Sequence, residues 1–150
     1  MDYHRIVKEV QELAEEESWY VSLFANVSAL LYEELPQLNW AGFYVMRKGR
    51  LCLGPFQGKT ACIHIAVGKG VCGTAVLEDR TLRIPDVHAF PGHIACDSAS
   101  SSELVFPVHV EGKVAAVLDL DSPIRDRFSK EDQEGLEEVV RALEAVPLTL

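Results

Sequence analysis

The chain has 150 residues, 48% hydrophobic and 25% charged, a size and balance that suit one globular domain with a real core. Its formal net charge of −9 argues against a nucleic-acid partner, because phosphate binding needs a basic patch and none is visible. No stretch approaches the roughly 18 consecutive apolar residues of a membrane span, and the opening "MDYHRIVKEVQELAEEE" has no apolar leader, so a cytoplasmic location is expected.

The first third of the chain reads as helical. In Asp2–Glu16, Ile6, Val7, Val10, Leu13 and Ala14 recur at helical spacing. Ser18 is placed to cap a second helix carrying Val21, Phe24, Val27, Leu30 and Leu31, which Pro36 ends. The period then changes to two. "NWAGFYVMR" sets Trp40, Gly42, Tyr44 and Met46 on one strand face and Ala41, Phe43 and Val45 on the other. "RKGR" is a turn and "LCLGPF" the returning strand. "CIHIAV" (Cys62–Val67) reads as a third strand, and "GKGVCGTAVLED" as a glycine-rich loop opening a short helix. "TLRIPDV" is a further strand, followed by a long irregular loop, Val87–Ser102. "ELVFPVHV" and "KVAAVLDLDS" form a hairpin through Glu111–Gly112. Ser129 caps the last helix, with Asp132 three residues on, and that helix turns Leu136, Val139, Val140 and Leu143 inward. Adjacent hairpins with helices at both chain ends predict an α+β sandwich on a mainly antiparallel sheet, a single domain over residues 1–150.

Chemistry-bearing residues concentrate in a few places. The four cysteines, Cys52, Cys62, Cys72 and Cys96, have no CxxC spacing, and a reducing cytosol disfavours permanent disulfides. Cys62, Cys72, Cys96 and His93 match no zinc finger or knuckle, so no metal is expected. Cys52, between Leu51 and Leu53, reads as a buried strand cysteine. Cys72 sits at a helix start, where the dipole favours thiolate. Cys96 lies in the polar loop "PGHIACDSASSSE" with small neighbours that leave it accessible. From spacing alone, Cys72 and Cys96 are equally good nucleophiles, and all four thiols being inert is the plain alternative. The glycines of "GKGVCGTA" suit a tight strand-to-helix turn better than a phosphate loop. "VLDLDS" ends an apolar strand on Asp119 and Asp121, two apart and so on one face, and the hairpin brings the start of the preceding strand, Glu103, near them. Three crowded acids suit a cation such as an amino acid's ammonium group, and crowding raises at least one carboxyl pKa. Trp40 and Tyr44 share a strand face and can wall one apolar cavity or simply pack the sheet.

Taken together, "NWAGFY", "LGPFQGKTACIHI", "GKGVCGTA", "DVHAFPGHIACDSASSSE" and "AVLDLDSP…FSKEDQEGLE" resemble the free methionine-(R)-sulfoxide reductases, single-domain GAF proteins, over nearly the whole chain. The resemblance implies a six-stranded antiparallel sheet between helices, usually in a homodimer, and reduction of free L-methionine (R)-sulfoxide without a cofactor. It implies that Cys96 attacks, that Cys62 resolves the sulfenic acid as a disulfide, and that Cys72 has an auxiliary role. It places Glu103, Asp119 and Asp121 as pocket acids, with Glu103 or Asp121 as proton donor, and Trp40 and Tyr44 around the substrate methyl group. Thioredoxin is the expected reductant. The rival expectation is a GAF module that binds a small molecule or senses oxidant without turnover.

Overall fold

The computed structural model describes residues 1–92 and 99–150. Its elements are α1 (Tyr3–Glu16), α2 (Tyr20–Glu34), β1 (Trp40–Arg47), β2 (Arg50–Gly58), β3 (His64–Ala66), α3 (Gly70–Glu78), β4 (Leu82–Ile84), a 3-10 turn Val87–Ala89, β5 (Ser102–Val110), β6 (Lys113–Ser122) and α4 (Lys130–Glu144). The strands form one six-stranded sheet in the order β3-β2-β1-β6-β5-β4, every neighbour antiparallel.

Alternation along β1 divides the core as its sequence predicts. Ala41, Phe43 and Val45 face the layer of α1, α2 and α4, together with Ile6, Phe24, Leu31, Leu136 and Leu143. Phe43 stacks on Phe24 with ring centroids 3.9 Å apart. Trp40 and Tyr44 face the other way, into a smaller cluster with Cys72, Ala75, Val105 and Val117. The α3 helix covers this second face, because the chain must cross from edge strand β3 to the opposite edge strand β4. Gly73 allows the close fit, since a Cβ there would sit 2.4 Å from the Ala66 carbonyl oxygen.

The caps show where local chemistry decides. Asp2 caps α1 by accepting from the Arg5 N–H, and Ser129 with Asp132 makes a full capping box on α4. Ser18 does not cap α2. The cap position is Trp19, without a side-chain bond, because this stretch bridges the C-terminal segment: the Ser18 carbonyl accepts from Thr149 N–H, and Tyr20 N–H donates back to Thr149. The third strand is also shorter than expected. β3 pairs only with Arg50–Cys52, which leaves Cys62 in irregular chain before it. Cys52 is half-buried rather than buried, since its strand lies next to the short edge strand.

Candidate active site

The site grows out of strand register. Trp40 lies opposite Asp121, and Asp121 opposite Glu103, so one row across β1, β6 and β5 carries an indole and two carboxyls. In the next row Gly42 faces Asp119, which faces Val105. The absent side chain at Gly42 matters, because a Cβ there would meet Phe56 Cβ at 2.3 Å and the Trp40 ring at 2.9 Å. Trp40 is thereby free to stack on Phe56 at 5.1 Å and on Tyr44 at 5.8 Å. Both polar tips of the pair are fixed from the same side. Trp40 Nε1 donates to the Lys59 carbonyl at 3.1 Å, and the Tyr44 hydroxyl to the Cys62 carbonyl at 3.0 Å.

Phe56 is the member of this wall that the sequence conceals. Strict alternation from Leu51 and Leu53 would turn Phe56 to the opposite face. A bulge opposite Phe43 makes Gly42 pair with Phe56 and Tyr44 with Leu53. That extra residue reverses the parity, so Leu51, Leu53 and Phe56 all join the cluster of Trp40. The Gly54–Pro55 pair at the bulge is the only signal in the sequence.

All three acids are buried: Asp119 is 5% exposed, and Glu103 and Asp121 are 9% exposed. Burial, then repulsion from Asp121 and Glu103, pushes the Asp119 carboxyl well above the usual carboxylate range. Its Oδ1 is buried and meets no hydrogen-bond donor among the described residues, since neighbouring carboxyls can offer one only by sharing a proton. Burial, with the same acids behind it, also keeps the Tyr44 hydroxyl protonated, a permanent donor.

Cys72 projects from the first turn of α3 into this cluster, and its thiol lies 3.8 Å from Glu103 Oε2. The helix start favours a thiolate there, but the surroundings oppose one. Burial, then Asp119, Glu103 and Asp121, drives its pKa well up. A helix dipole contributes a fraction of a charge at low cost to oppose, whereas a second anion in a buried acid cluster is far more costly. The glycine loop before it serves the turn: Gly68 N–H donates to Gly73 and Lys69 N–H to Ala66, which directs these groups inward.

Cys96, the expected nucleophile, lies outside the described residues, with His93 and Asp97. Both flanks of its segment are anchored beside the acids. Val87 N–H donates to Ser101, Ser101 N–H to Ser122, and Asn39 Nδ2 to Ser100 Oγ at 3.1 Å. Of the other thiols, Cys52 and Cys72 are free, and Cys62 is disulfide-bonded. The structure therefore brings together Trp40, Tyr44, Cys72, Glu103, Asp119 and Asp121, and ties Cys62 to them through Tyr44. Such a site offers an aromatic wall, a negative seat for a cation, and a carboxyl whose pKa burial and neighbouring charge raise.

A curled antiparallel sheet with this buried pocket face defines a GAF domain, and the GAF family model matches residues 3–146. Free methionine-R-sulfoxide reductase of Escherichia coli (strain K12) is 50% identical over 147 residues, covering 98% of this chain and 89% of the relative. The reduced form of the Staphylococcus aureus enzyme superposes with a TM-score of 0.93 at 49% identity, covering 96% of this chain and 94% of that one. Free methionine-R-sulfoxide reductase of Neisseria meningitidis, solved in complex with its substrate, superposes at 0.91 with 37% identity, covering 95% and 86%. The chain belongs to the free methionine-R-sulfoxide reductase family of GAF domains.

Proposed function

We propose that this protein reduces free L-methionine (R)-sulfoxide to L-methionine. The observation that carries the reading is the buried cluster of Glu103, Asp119 and Asp121 against the Trp40–Tyr44 wall. A carboxylate charge in that cluster binds the substrate ammonium, and the aromatic wall receives the methyl group. The Cys96 thiolate attacks the sulfoxide sulfur. Glu103 or Asp121 protonates the departing oxygen, drawing on the proton that burial and neighbouring charge keep on Asp119. Methionine leaves, and Cys96 carries the oxygen as a sulfenic acid. The Cys62 thiol condenses with it, releasing water and forming a disulfide. A dithiol protein, thioredoxin, exchanges with that disulfide and returns both thiols. Cys72, protonated and buried, stays out of the first attack and serves as an auxiliary thiol.

The reading includes a homodimer working in the cytoplasm. The test is incubation of the reduced protein with racemic methionine sulfoxide, thioredoxin, its reductase and NADPH. Many turnovers with loss of the R epimer alone support the assignment. Absence of turnover assigns a binding module, and one oxidation per chain a redox switch.

A further inference from the structure

We propose that Tyr44 is a positioning residue for the second half of the reaction: its hydroxyl holds the peptide of Cys62 so that the Cys62 thiol meets the sulfenic acid. The proposal deepens the reductase reading and rests on it for the identity of the two thiols. As a wall for the substrate methyl group Tyr44 needs only its ring, and the hydroxyl has a different task.

Residues 59–63 run from β2 to β3 as irregular chain and carry Cys62. The chain leaves β2 at Gly58, where φ is +133° and a Cβ would sit 2.6 Å from the Trp40 ring. The segment therefore starts pressed against the indole. Three donors then hold its carbonyls. Trp40 Nε1 donates to Lys59 at 3.1 Å, the Tyr44 hydroxyl to Cys62 at 3.0 Å, and Leu53 N–H to Ile63 at 2.8 Å. Two of these donors are side chains of the aromatic wall, and Tyr44 grips the peptide of the reacting residue itself.

Tyr44 suits the task because it is itself fixed. Its side chain is buried, its ring stacks on Trp40, and burial with the acids behind it keeps the hydroxyl protonated. The step it serves is a condensation. The Cys62 sulfur attacks the sulfenic sulfur, an S–S bond forms, and the S–O bond breaks. The oxygen leaves with the thiol proton as water; Cys62 is oxidised and the sulfenic sulfur reduced. The rate follows the fraction of time the thiol spends in attack geometry, and a segment released at Cys62 spends less of its time there.

The experiment mixes the full, reduced chain with one equivalent of hydrogen peroxide. The sulfenic acid is trapped with dimedone at intervals, and the Cys62 disulfide is followed by mass spectrometry. Tyr44→Phe keeps the ring and removes the hydroxyl. It is expected to lengthen the life of the sulfenic acid about tenfold. Cys62→Ser lengthens it further, and adding Tyr44→Phe to Cys62→Ser changes nothing more, which a general loosening of the fold would not reproduce. Trp40→Phe removes the Lys59 anchor instead and also slows the disulfide. The proposal is overturned by a wild-type rate in Tyr44→Phe, by an equal lengthening when Cys62 is absent, or by no Cys62 disulfide in the wild type. If Tyr44→Phe does not fold, a wild-type rate in Trp40→Phe overturns it. Peroxide makes the sulfenic acid without a sulfoxide, so the two ideas fail separately. Absent sulfoxide turnover with the Tyr44 effect intact removes the reductase reading alone, and turnover with a wild-type rate in Tyr44→Phe removes this proposal alone.

Discussion

Asp119 holds a buried oxygen without a donor between two further acids. An asparagine there keeps the shape, removes a titrating group, and offers two N–H donors to the neighbouring carboxyls. Asp119→Asn is therefore expected to raise the thermal midpoint, by about 1 kcal/mol of stability, while lowering kcat/KM. Differential scanning calorimetry beside a steady-state assay checks both signs, and a destabilised variant would contradict this account of the cluster. The thiols divide the labour differently. Cys96→Ser should lower methionine sulfoxide turnover with dithiothreitol by more than about 10³-fold, as loss of a nucleophile does. Near-normal turnover would move the attack to another cysteine. Cys62→Ser should release one methionine per chain in a single round yet fail to cycle with thioredoxin. Residue types and spacing made the acids readable as a pocket. They could not weigh Cys72, because a helix start is visible in a sequence while burial beside three carboxyls is not.

At the scale of elements, the pocket depends on two backbone devices. The bulge in β2 turns Phe56 onto Trp40, and Gly73 lets α3 approach β3 closely enough to deliver Cys72. Gly73→Ala places a methyl against the Ala66 carbonyl oxygen and must lift α3. A loss of about 1–3 kcal/mol is expected in urea unfolding, with a fall in activity larger than the fraction unfolded explains. Full activity with unchanged stability would show that the contact yields. The elements themselves were largely legible. Periods of 3.6 and 2, the Lys48–Gly49 and Glu111–Gly112 turns, and the Ser129–Asp132 cap all fall where the pattern sets them. Ser18 failed as a cap because a long-range bridge to Thr149 claimed its backbone, and periodicity carries no information about partners so distant.

Across the whole molecule, His109 joins elements that the sequence keeps apart. Its Nδ1 meets Glu144 of α4 at 2.6 Å and its Nε2 meets Asp79, at the end of α3, at 2.7 Å. Both ring nitrogens face carboxylates, so both need their protons. Arg80, Glu137 and Arg141 line the same depression. Burial pulls the His109 pKa down, but the hydrogen bonds to Asp79 and Glu144 outweigh it, and the net direction is upward. A raised folded pKa means the clamp contributes fully below the unfolded histidine value of about 6.5 and is lost as pH rises through the folded value. For a partly exposed pair the contribution is up to about 1 kcal/mol. Thermal midpoints measured from mildly acidic to alkaline pH should decline in the wild type more than in His109→Gln. Parallel curves would remove His109 as the cause.

The sequence by itself determined the helices, the hairpins, most of the strands and which residue types could carry chemistry, because those depend on local periodicity, turn residues and side-chain type. It also carried enough contiguous motif to indicate the family. Only the tertiary structure decided that Asp121 pairs with Glu103 and Trp40, that Phe56 joins the aromatic wall, and that Cys72 is a buried thiol among acids. Register and burial are set by contacts between segments far apart in the chain, and those contacts fix both the distances and the protonation on which the chemistry depends.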